Sequence, residues 1–154
     1  MKHLILVRHG QYGPDGNLDT NGQYQIESLA QSIKEIIGAQ RPSLLYSTAS
    51  RTIQTAYILT RALNAQSEAC ADLRVEGNIF LLEARTRLHN LITAMGKNND
   101  VIILVTHLPV IHAIGLFISQ EYFGQTLLFE VGMGQAIHFD IGENTYELLP
   151  RATQ

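Results

Sequence analysis

The sequence has one cysteine and no excess of positive charge, and each shortage disfavours a class of protein. Cys70 alone can form neither an internal disulfide nor a cysteine-only metal site, which disfavours a disulfide-rich secreted domain. Eleven Lys and Arg residues against fourteen Asp and Glu residues give a net charge of −3. No global positive field therefore attracts nucleic acid or anionic membranes, and any anion-binding site has to be local.

Long hydrophobic runs are also scarce. Leu4–Val7 is a run of only four apolar residues, which is too short for the core of a secretory signal peptide. The stretch 101–118 approaches the length of a bilayer span, but Thr106, His107 and His112 interrupt it. We therefore expect a cytoplasmic protein with no membrane partner.

The apolar residues that are present alternate between strand-like and helix-like spacing, as expected for one domain spanning 1–154. Buried strands are predicted at 3–7, 43–46 and 101–105, a weaker strand within 67–79, and a C-terminal β-meander at 126–131, 135–141 and 145–149. The fold class is α/β, a three-layer sandwich with a mainly parallel central sheet and helices on both faces.

Two of the predicted helices bear on the function. The first begins near Asp19, a plausible N-cap, and presents an inner face formed by Ile26, Leu29, Ala30, Ile33 and Ile37. The second has Ser50 as its candidate N-cap, and its predicted inner face consists of Ile53, Ala56, Tyr57, Thr60 and Leu63. Further helices are predicted up to about Gly96 and from 106 to about Ile118.

Unusual polar residues follow three of the strands. The first strand leads into Arg8, His9 and Gly10, the second into a helix whose opening turn contains Arg51, and the third into His107. Parallel strands place ligand sites at their carboxyl ends, so these side chains are expected to converge. Guanidinium groups bind phosphoryl oxygens, and a neutral imidazole can attack phosphorus without a metal. His9 is the candidate nucleophile, and Gly10 would let the backbone approach the phosphate.

The order of these motifs resembles the histidine phosphatase (phosphoglycerate-mutase-like) superfamily. The motifs are the strand followed by RHG, Leu18-Asp19-x-x-Gly22-x-x-Gln25, Ser47-x-x-x-Arg51-Thr52-x-x-Thr55-Ala56 and Thr106-His107-Leu108-Pro109. The resemblance implies that His9 is phosphorylated, that Arg8, Arg51 and His107 bind the phosphate, and that neither metal nor cofactor is needed. The short chain and the THLP turn are most similar to the small bacterial phosphohistidine phosphatase branch, whose members act on phosphorylated histidine.

The general acid is the least defined part of this hypothesis. The resemblance implies a proton-donating carboxylate after the second helix, where Glu76 is the candidate and Asp72 the alternative, while Asn78 stands where relatives have an acid. Gln11 and Tyr12 are weaker candidates for the rim of the pocket. The remaining histidines, His3, His89, His112 and His138, show no shared spacing typical of metal ligands, so we expect no metal site.

Three functions fit these residues. The first is a phosphatase that forms a phosphohistidine intermediate and acts on the phosphohistidine of a protein partner. The second is a mutase or a phosphatase of small phosphorylated substrates, for which the short segment between the second and third helices leaves little material for a lid. The third is an inactive module that binds phosphorylated partners, which would need the arginines but not His9. The oligomeric state stays open.

Overall fold

The computed structural model describes residues 1–75 and 82–151, which contain six strands and four α-helices. In chain order they are β1 (His3–Arg8), α1 (Thr20–Ile37), β2 (Ser43–Tyr46), α2 (Ser50–Leu63), β3 (Gln66–Ala69), α3 (Leu82–Met95), β4 (Val101–Thr106), α4 (Leu108–Phe123), β5 (Ala136–Asp140) and β6 (Thr145–Leu149). One turn of 3-10 helix, Ala71–Leu73, follows β3.

The six strands form one sheet in the order β3-β2-β4-β1-β5-β6. The strands β3, β2, β4 and β1 are parallel, whereas β5 and β6 form an antiparallel hairpin at the edge beside β1. The predicted fold class is confirmed. The segment 126–131 is not a strand, so the C-terminal antiparallel part is a hairpin rather than a run of three new strands.

Two apolar layers cover the two faces of the sheet. Alternate residues of β1 point to opposite faces, so that Ile5 and Val7 pack with α1 and α2, whereas Leu4 and Leu6 pack with α3 and α4. The strands β1 and β4 are buried on both faces and therefore consist of continuous apolar runs.

The predicted inner face of α1 is confirmed, and the carboxylate of Asp19 caps this helix by accepting a hydrogen bond from Gly22 N at 2.7 Å. The predicted inner face of α2 is wrong in part. Ile53 and Tyr57 are exposed, and the buried residues of α2 are Thr52, Thr55, Ala56, Leu59 and Leu63. The buried face of α2 thus includes two polar residues, Thr52 and Thr55, that the apolar pattern did not place there.

The apolar stretch 101–118 divides between β4 and α4, with His107 as the N-cap of the helix. Within residues 1–75 and 82–151, no helix has both the length and the apolar character needed to cross a membrane. The turn between β4 and α4 instead brings polar groups to one edge of the sheet, next to the end of β1.

Candidate active site

The carboxyl ends of β1, β2 and β4 meet at one edge of the sheet. Arg8 pairs with Thr106 in the β1–β4 register, so the residues that follow them, His9 and His107, emerge side by side. His9 N donates to the carbonyl of Thr106 at 3.3 Å. Together with Arg51 from the first turn of α2, these side chains line a cleft of about 260 Å³. The structure thus brings together Arg8, His9, Arg51 and His107.

The threonines of α2 fix this helix against the end of β1. The hydroxyl of Thr55 donates to the carbonyl of Arg51 at 2.8 Å and accepts from Gly10 N at 3.1 Å. The hydroxyl of Thr52 donates to the carbonyls of Ser47 and Ala49 at the start of the helix. These hydrogen bonds satisfy the hydroxyl groups of Thr52 and Thr55, which explains why two polar residues are buried on the inner side of α2.

Gly10 and Gly22 allow the loop after β1 to pack on the start of α1. A Cβ atom on Gly10 would lie 2.8 Å from the carbonyl oxygen of Gly22, and one on Gly22 would clash with the carbonyl oxygen of Gln11. Gln25 adds a side-chain acceptor for Gln11 N at 3.0 Å. The structure therefore supplies a packing reason for Gly10, while its predicted contact with phosphate stays a prediction.

The ring of His9 is held in one tautomer by its two nitrogen contacts. Nδ1 lies 3.0 Å from the carbonyl oxygen of Gly10, which can only accept, so Nδ1 carries the proton. The Nε of Arg51 donates to Nε2 of His9 at 3.3 Å, so Nε2 carries the lone pair. Burial is the largest cause that lowers the pKa of His9 to about 4, and the charges of Arg51 and Arg8 add to it, while the Gly10 contact opposes it. A neutral imidazole with its Nε2 lone pair in the cleft is a competent nucleophile at neutral pH.

His107 faces His9 across the cleft, with ring centroids 5.5 Å apart. Its Nε2 lies 2.9 Å from the buried hydroxyl of Ser47, which orients the ring. Burial lowers the pKa of His107 to about 4, and the neighbouring His9, Arg51, Arg74 and Arg8 lower it further. A phosphate dianion in the cleft would raise the pKa of His107 again, because a negative charge favours the protonated imidazole.

The two arginines leave donor capacity for an anion. Arg8 donates from Nη1 to the carbonyl of Val131 at 2.9 Å, while its Nε is buried and has no hydrogen-bond partner among residues 1–75 and 82–151. Within the described ranges, neither Arg8 nor Arg51 has a carboxylate within 4.0 Å. Buried donors of this kind usually have a partner, and the dianionic oxygens of a phosphoryl group would supply one.

Two helices begin beside the cleft without a side-chain cap. The N-cap of α2 is Ala49, so the prediction of Ser50 is wrong by one residue, and Ser50 is the first residue of the helix. Neither Ala49 nor His107, the N-cap of α4, makes a capping hydrogen bond with its side chain. Leu108 and Pro109, in the first turn of α4, line the cleft. The positive end of each helix dipole favours an anion in this position.

Sequence reasoning underestimated two residues at the rim. Tyr12 lies with its ring centroid 5.3 Å from that of His9 and 4.7 Å from Cζ of Arg51, which makes it part of the cleft. Arg74 adds positive charge felt by His107, and it reaches Thr48 at 3.5 Å. No spacing rule points to either residue. The signals that the sequence offers are the position of Tyr12, three residues after His9, and the position of Arg74, in the segment between the second and third helices.

Of the two candidate general acids, Glu76 and Asp72, the structure describes only Asp72. Glu76 and Asn78 lie outside the described residues. The Asp72 carboxylate forms two hydrogen bonds with Arg87, at 2.9 and 2.7 Å, and this contact lowers the pKa of Asp72 below its ordinary value. An ionised, partnered carboxylate is a poor proton donor, so Asp72 is disfavoured as the acid.

Comparison with known proteins decides the family. A sequence profile of the histidine phosphatase superfamily (branch 1) matches residues 4–79, the part of the chain that contains Arg8, His9 and Arg51. The chain belongs to the histidine phosphatase superfamily. None of the curated proteins matches this member of the superfamily in sequence.

Solved structures with this fold cover nearly the whole chain. The putative phosphohistidine phosphatase SixA from Nakamurella multipartitia has a TM-score of 0.70 at 19% identity, over 96% of this chain and 92% of that one. The protein histidine phosphatase SixA complexed with tungstate gives 0.70 at 18%, over 94% of both chains. A mycobacterial glucosyl-3-phosphoglycerate phosphatase, in complex with inorganic phosphate, gives 0.70 at 14%, over 96% of this chain and 95% of that one. At these identities the likeness shows the shared fold.

Proposed function

We propose that this protein is a cytoplasmic, metal-independent phosphatase in which His9 is the nucleophile and Arg8, Arg51 and His107 bind the transferring phosphoryl group. The observation that carries the proposal is the pair of contacts made by the ring of His9. Its Nδ1 lies 3.0 Å from the carbonyl oxygen of Gly10 and its Nε2 lies 3.3 Å from Nε of Arg51, an arrangement that fits a proton on Nδ1 and a lone pair on Nε2. The nucleophile is therefore oriented and deprotonated before any substrate arrives, and it needs neither a metal nor a base to activate it.

In the first step, the Nε2 lone pair of His9 forms a bond to phosphorus while the bond from phosphorus to the leaving group breaks. The leaving group departs with that electron pair and takes a proton from solvent or from an acid. The charge on the phosphoryl oxygens is balanced by Arg8 and Arg51, which are held in place before the reaction begins. In the second step, the oxygen of water forms a bond to phosphorus, and the P–N bond returns its electron pair to Nε2. Inorganic phosphate leaves with both protons of the water, and it can pass one of them to solvent.

The proposed substrate is phosphohistidine on a protein partner. The described part of the cleft has a volume of about 260 Å³ and is lined on its apolar side by Val75, Leu108 and Pro109, which suits a flat imidazole leaving group presented on a macromolecule. Two of the structures with this fold are SixA proteins, one of them in complex with tungstate, a tetrahedral oxyanion. A phosphatase of small phosphorylated molecules is the second candidate, because the glucosyl-3-phosphoglycerate phosphatase matches the fold with the same TM-score.

A covalent trap tests the nucleophile. Brief reaction with a labelled substrate should leave on the protein a label that is labile in acid and stable in base, as expected for a phosphoramidate. The label should vanish in His9→Ala and persist in His112→Ala, which removes an exposed histidine of α4 and serves as the matched control. Full activity of His9→Ala would refute the mechanism.

A comparison of leaving groups tests the substrate class and the proposed acid, Glu76, together. Imidazole leaves phosphorus easily, whereas an alkoxide needs a proton donor. We expect higher kcat/KM for phosphohistidine and aryl phosphates than for alkyl phosphates, and we expect Glu76→Gln to slow alkyl phosphates more than phosphohistidine. Glu68→Gln, on the exposed strand β3, is the control. Efficient hydrolysis of a sugar phosphate with little activity on phosphohistidine would favour the second candidate and leave the His9 chemistry intact.

A further inference from the structure

A second cluster of polar side chains lies at the opposite end of β1 from the cleft. In the antiparallel register of β1 and β5, His3 stands directly opposite Asp140, and His138 is two residues away on β5. Side chains at these positions share one face of the sheet. One ligand atom from each of the three residues lies within 4.8 Å of those of the other two.

Short contacts join the three residues of this cluster. The Asp140 carboxylate accepts from Glu143 N through Oδ1 at 2.9 Å, and its Oδ2 lies 3.9 Å from Nδ1 of His3. Nδ1 of His3 is hydrogen-bonded to Nε2 of His138 at 2.9 Å, so one of these two nitrogens carries the shared proton. A metal ion would displace that proton, and three lone-pair donors would then face one small volume.

The other nitrogen of His138 is matched to a carboxylate. Nδ1 of His138 lies 3.6 Å from Oε1 of Glu147, the residue opposite it on β6. A carboxylate attracts the N–H form of this nitrogen, which leaves the lone pair of His138 on Nε2, facing His3. His138 is 4% exposed, so its ring is held in this orientation by its surroundings.

We propose that His3, His138 and Asp140 bind a divalent transition-metal ion of the zinc class. Two imidazole nitrogens and one carboxylate oxygen are a common protein ligand set for Zn²⁺, and a water molecule completes the tetrahedron. The carboxylate of Glu147 beside the second nitrogen of His138 is the arrangement that orients metal-binding histidines and raises their basicity. The sequence spacing hid this set, because 135 residues separate His3 from His138.

Two of the three distances between the ligand atoms are close to those that such an ion needs, and the third is within 4.8 Å. Ligand bonds of 2.0 to 2.2 Å at tetrahedral angles place the ligand atoms ~3.4 Å apart. The gap of 2.9 Å between the two imidazoles would widen and the gap of 3.9 Å between His3 and Asp140 would narrow, each by ~0.5 Å. Small side-chain rotations achieve both changes, and the adjoining cleft of about 430 Å³ gives the ion and its water access from solvent.

The ion would link the start of β1 to β5. Five residues of extended strand separate His3 from Arg8, which places the cluster ~16 Å from the cleft. A metal there would stabilise the antiparallel edge of the sheet without touching the phosphoryl group. The proposal is thus independent of the proposed phosphatase activity.

Metal titration of the tag-free, chelator-treated protein tests the site. We expect one Co²⁺ per chain, detected by its visible absorption, displacement of that Co²⁺ by Zn²⁺, and a rise in the melting temperature with Zn²⁺, since binding to the folded state stabilises it. His3→Gln and Asp140→Asn should each weaken Zn²⁺ at least ~10-fold and abolish the rise. Glu147→Gln should weaken it by roughly 10- to 100-fold through the orientation of His138.

Two controls separate this site from other histidines. His112→Gln removes an exposed histidine elsewhere, and His9→Ala removes one of the two imidazoles in the cleft; both variants should bind one Zn²⁺ with unchanged affinity. Circular dichroism of each variant verifies the fold. Absence of binding by the folded wild type, or binding that His3→Gln and Asp140→Asn leave unchanged, would overturn the proposal. Loss of binding in His9→Ala alone would assign the metal to the cleft and overturn it equally.

Discussion

The protonation of His9 can be tested by lowering the pH in the free protein. An imidazole in water has a pKa of 6.5, whereas burial and two neighbouring guanidinium groups lower the pKa of His9 to about 4. At pH 5 a pKa of about 4 leaves about 90% of the His9 rings neutral, whereas a pKa of 6.5 would leave about 3% neutral. The fraction of competent nucleophile therefore differs by a factor of about 30 between the two cases.

Nitrogen-15 NMR of the imidazoles measures this directly and reports the tautomer as well. We expect an Nδ1–H, Nε2-unprotonated His9 at pH 7 that starts to titrate only below pH 5, and a short peptide containing Arg-His-Gly serves as the control. His9 and His107 lie close enough to titrate as a pair, so the first proton observed belongs to the pair. Because burial is the largest cause, Arg51→Met should raise the pKa only in part.

The same shift predicts how stability depends on pH. The unfolded chain binds a proton at His9 near pH 6.5, whereas the folded protein resists it down to about pH 4. The unfolded state therefore binds more protons in this range, and the free energy of unfolding should fall as the pH is lowered through it. A midpoint near 6.5 for His9 in the folded protein, or a proton on Nε2 instead of Nδ1, would refute the reasoning about the nucleophile.

Two further predictions concern the arginine and the glycine beside the nucleophile. Arg51→Ala removes a charge-assisted contact of about 1.5 to 3 kcal/mol, so kcat/KM should fall by roughly tenfold or more. Arg51→Lys should restore little of it, because an ammonium lacks the planar fork of the guanidinium group. Arg61→Ala, on the exposed side of α2, is the control, and near-normal kinetics in both Arg51 variants would place Arg51 outside the mechanism. Gly10→Ala should lower the free energy of unfolding by about 1 to 3 kcal/mol, since the new Cβ would meet the backbone of Gly22 at 2.8 Å. Gly13→Ala, where the nearest atom is 3.5 Å away, should change it by less than about 0.5 kcal/mol in the same urea titration, and equal effects at the two positions would contradict the packing argument.

Much of the fold could be predicted because local patterns determine it. The buried strands before Arg8 and His107 are short apolar runs, and α1 has both an N-cap and a regular apolar stripe. The convergence of the two arginines and two histidines also followed from strand order, because parallel strands end at one edge. Their catalytic roles stay proposals that the experiments above test.

The features that escaped prediction depend on contacts between distant residues. Thr52 and Thr55 are buried in α2 because their hydroxyls hydrogen-bond to nearby backbone, which an apolar pattern cannot show. His3 and Asp140 meet only through the register of an antiparallel strand pair. The partial apolar pattern of 126–131 indicated a strand, yet this segment packs Phe129 and Val131 into the core without one.

The pairing of β1 with β4 has a consequence for how the two cleft histidines are aligned. Both strands are apolar on both faces, so a slip of one residue would exchange one buried apolar side chain for another and change the apolar burial in the core very little. Such a slip would nevertheless move His107 by ~3.3 Å relative to His9 and turn it to the other face. Hydrogen bonds at both ends of the strands hold the observed register: Lys2 N and His3 N donate to the carbonyl of Asp100, just before β4, and His9 N donates to the carbonyl of Thr106, at its end. Apolar packing thus stabilises the pair of strands, whereas a few hydrogen bonds at the strand ends fix its register. The alignment of His9 with His107 depends on those hydrogen bonds.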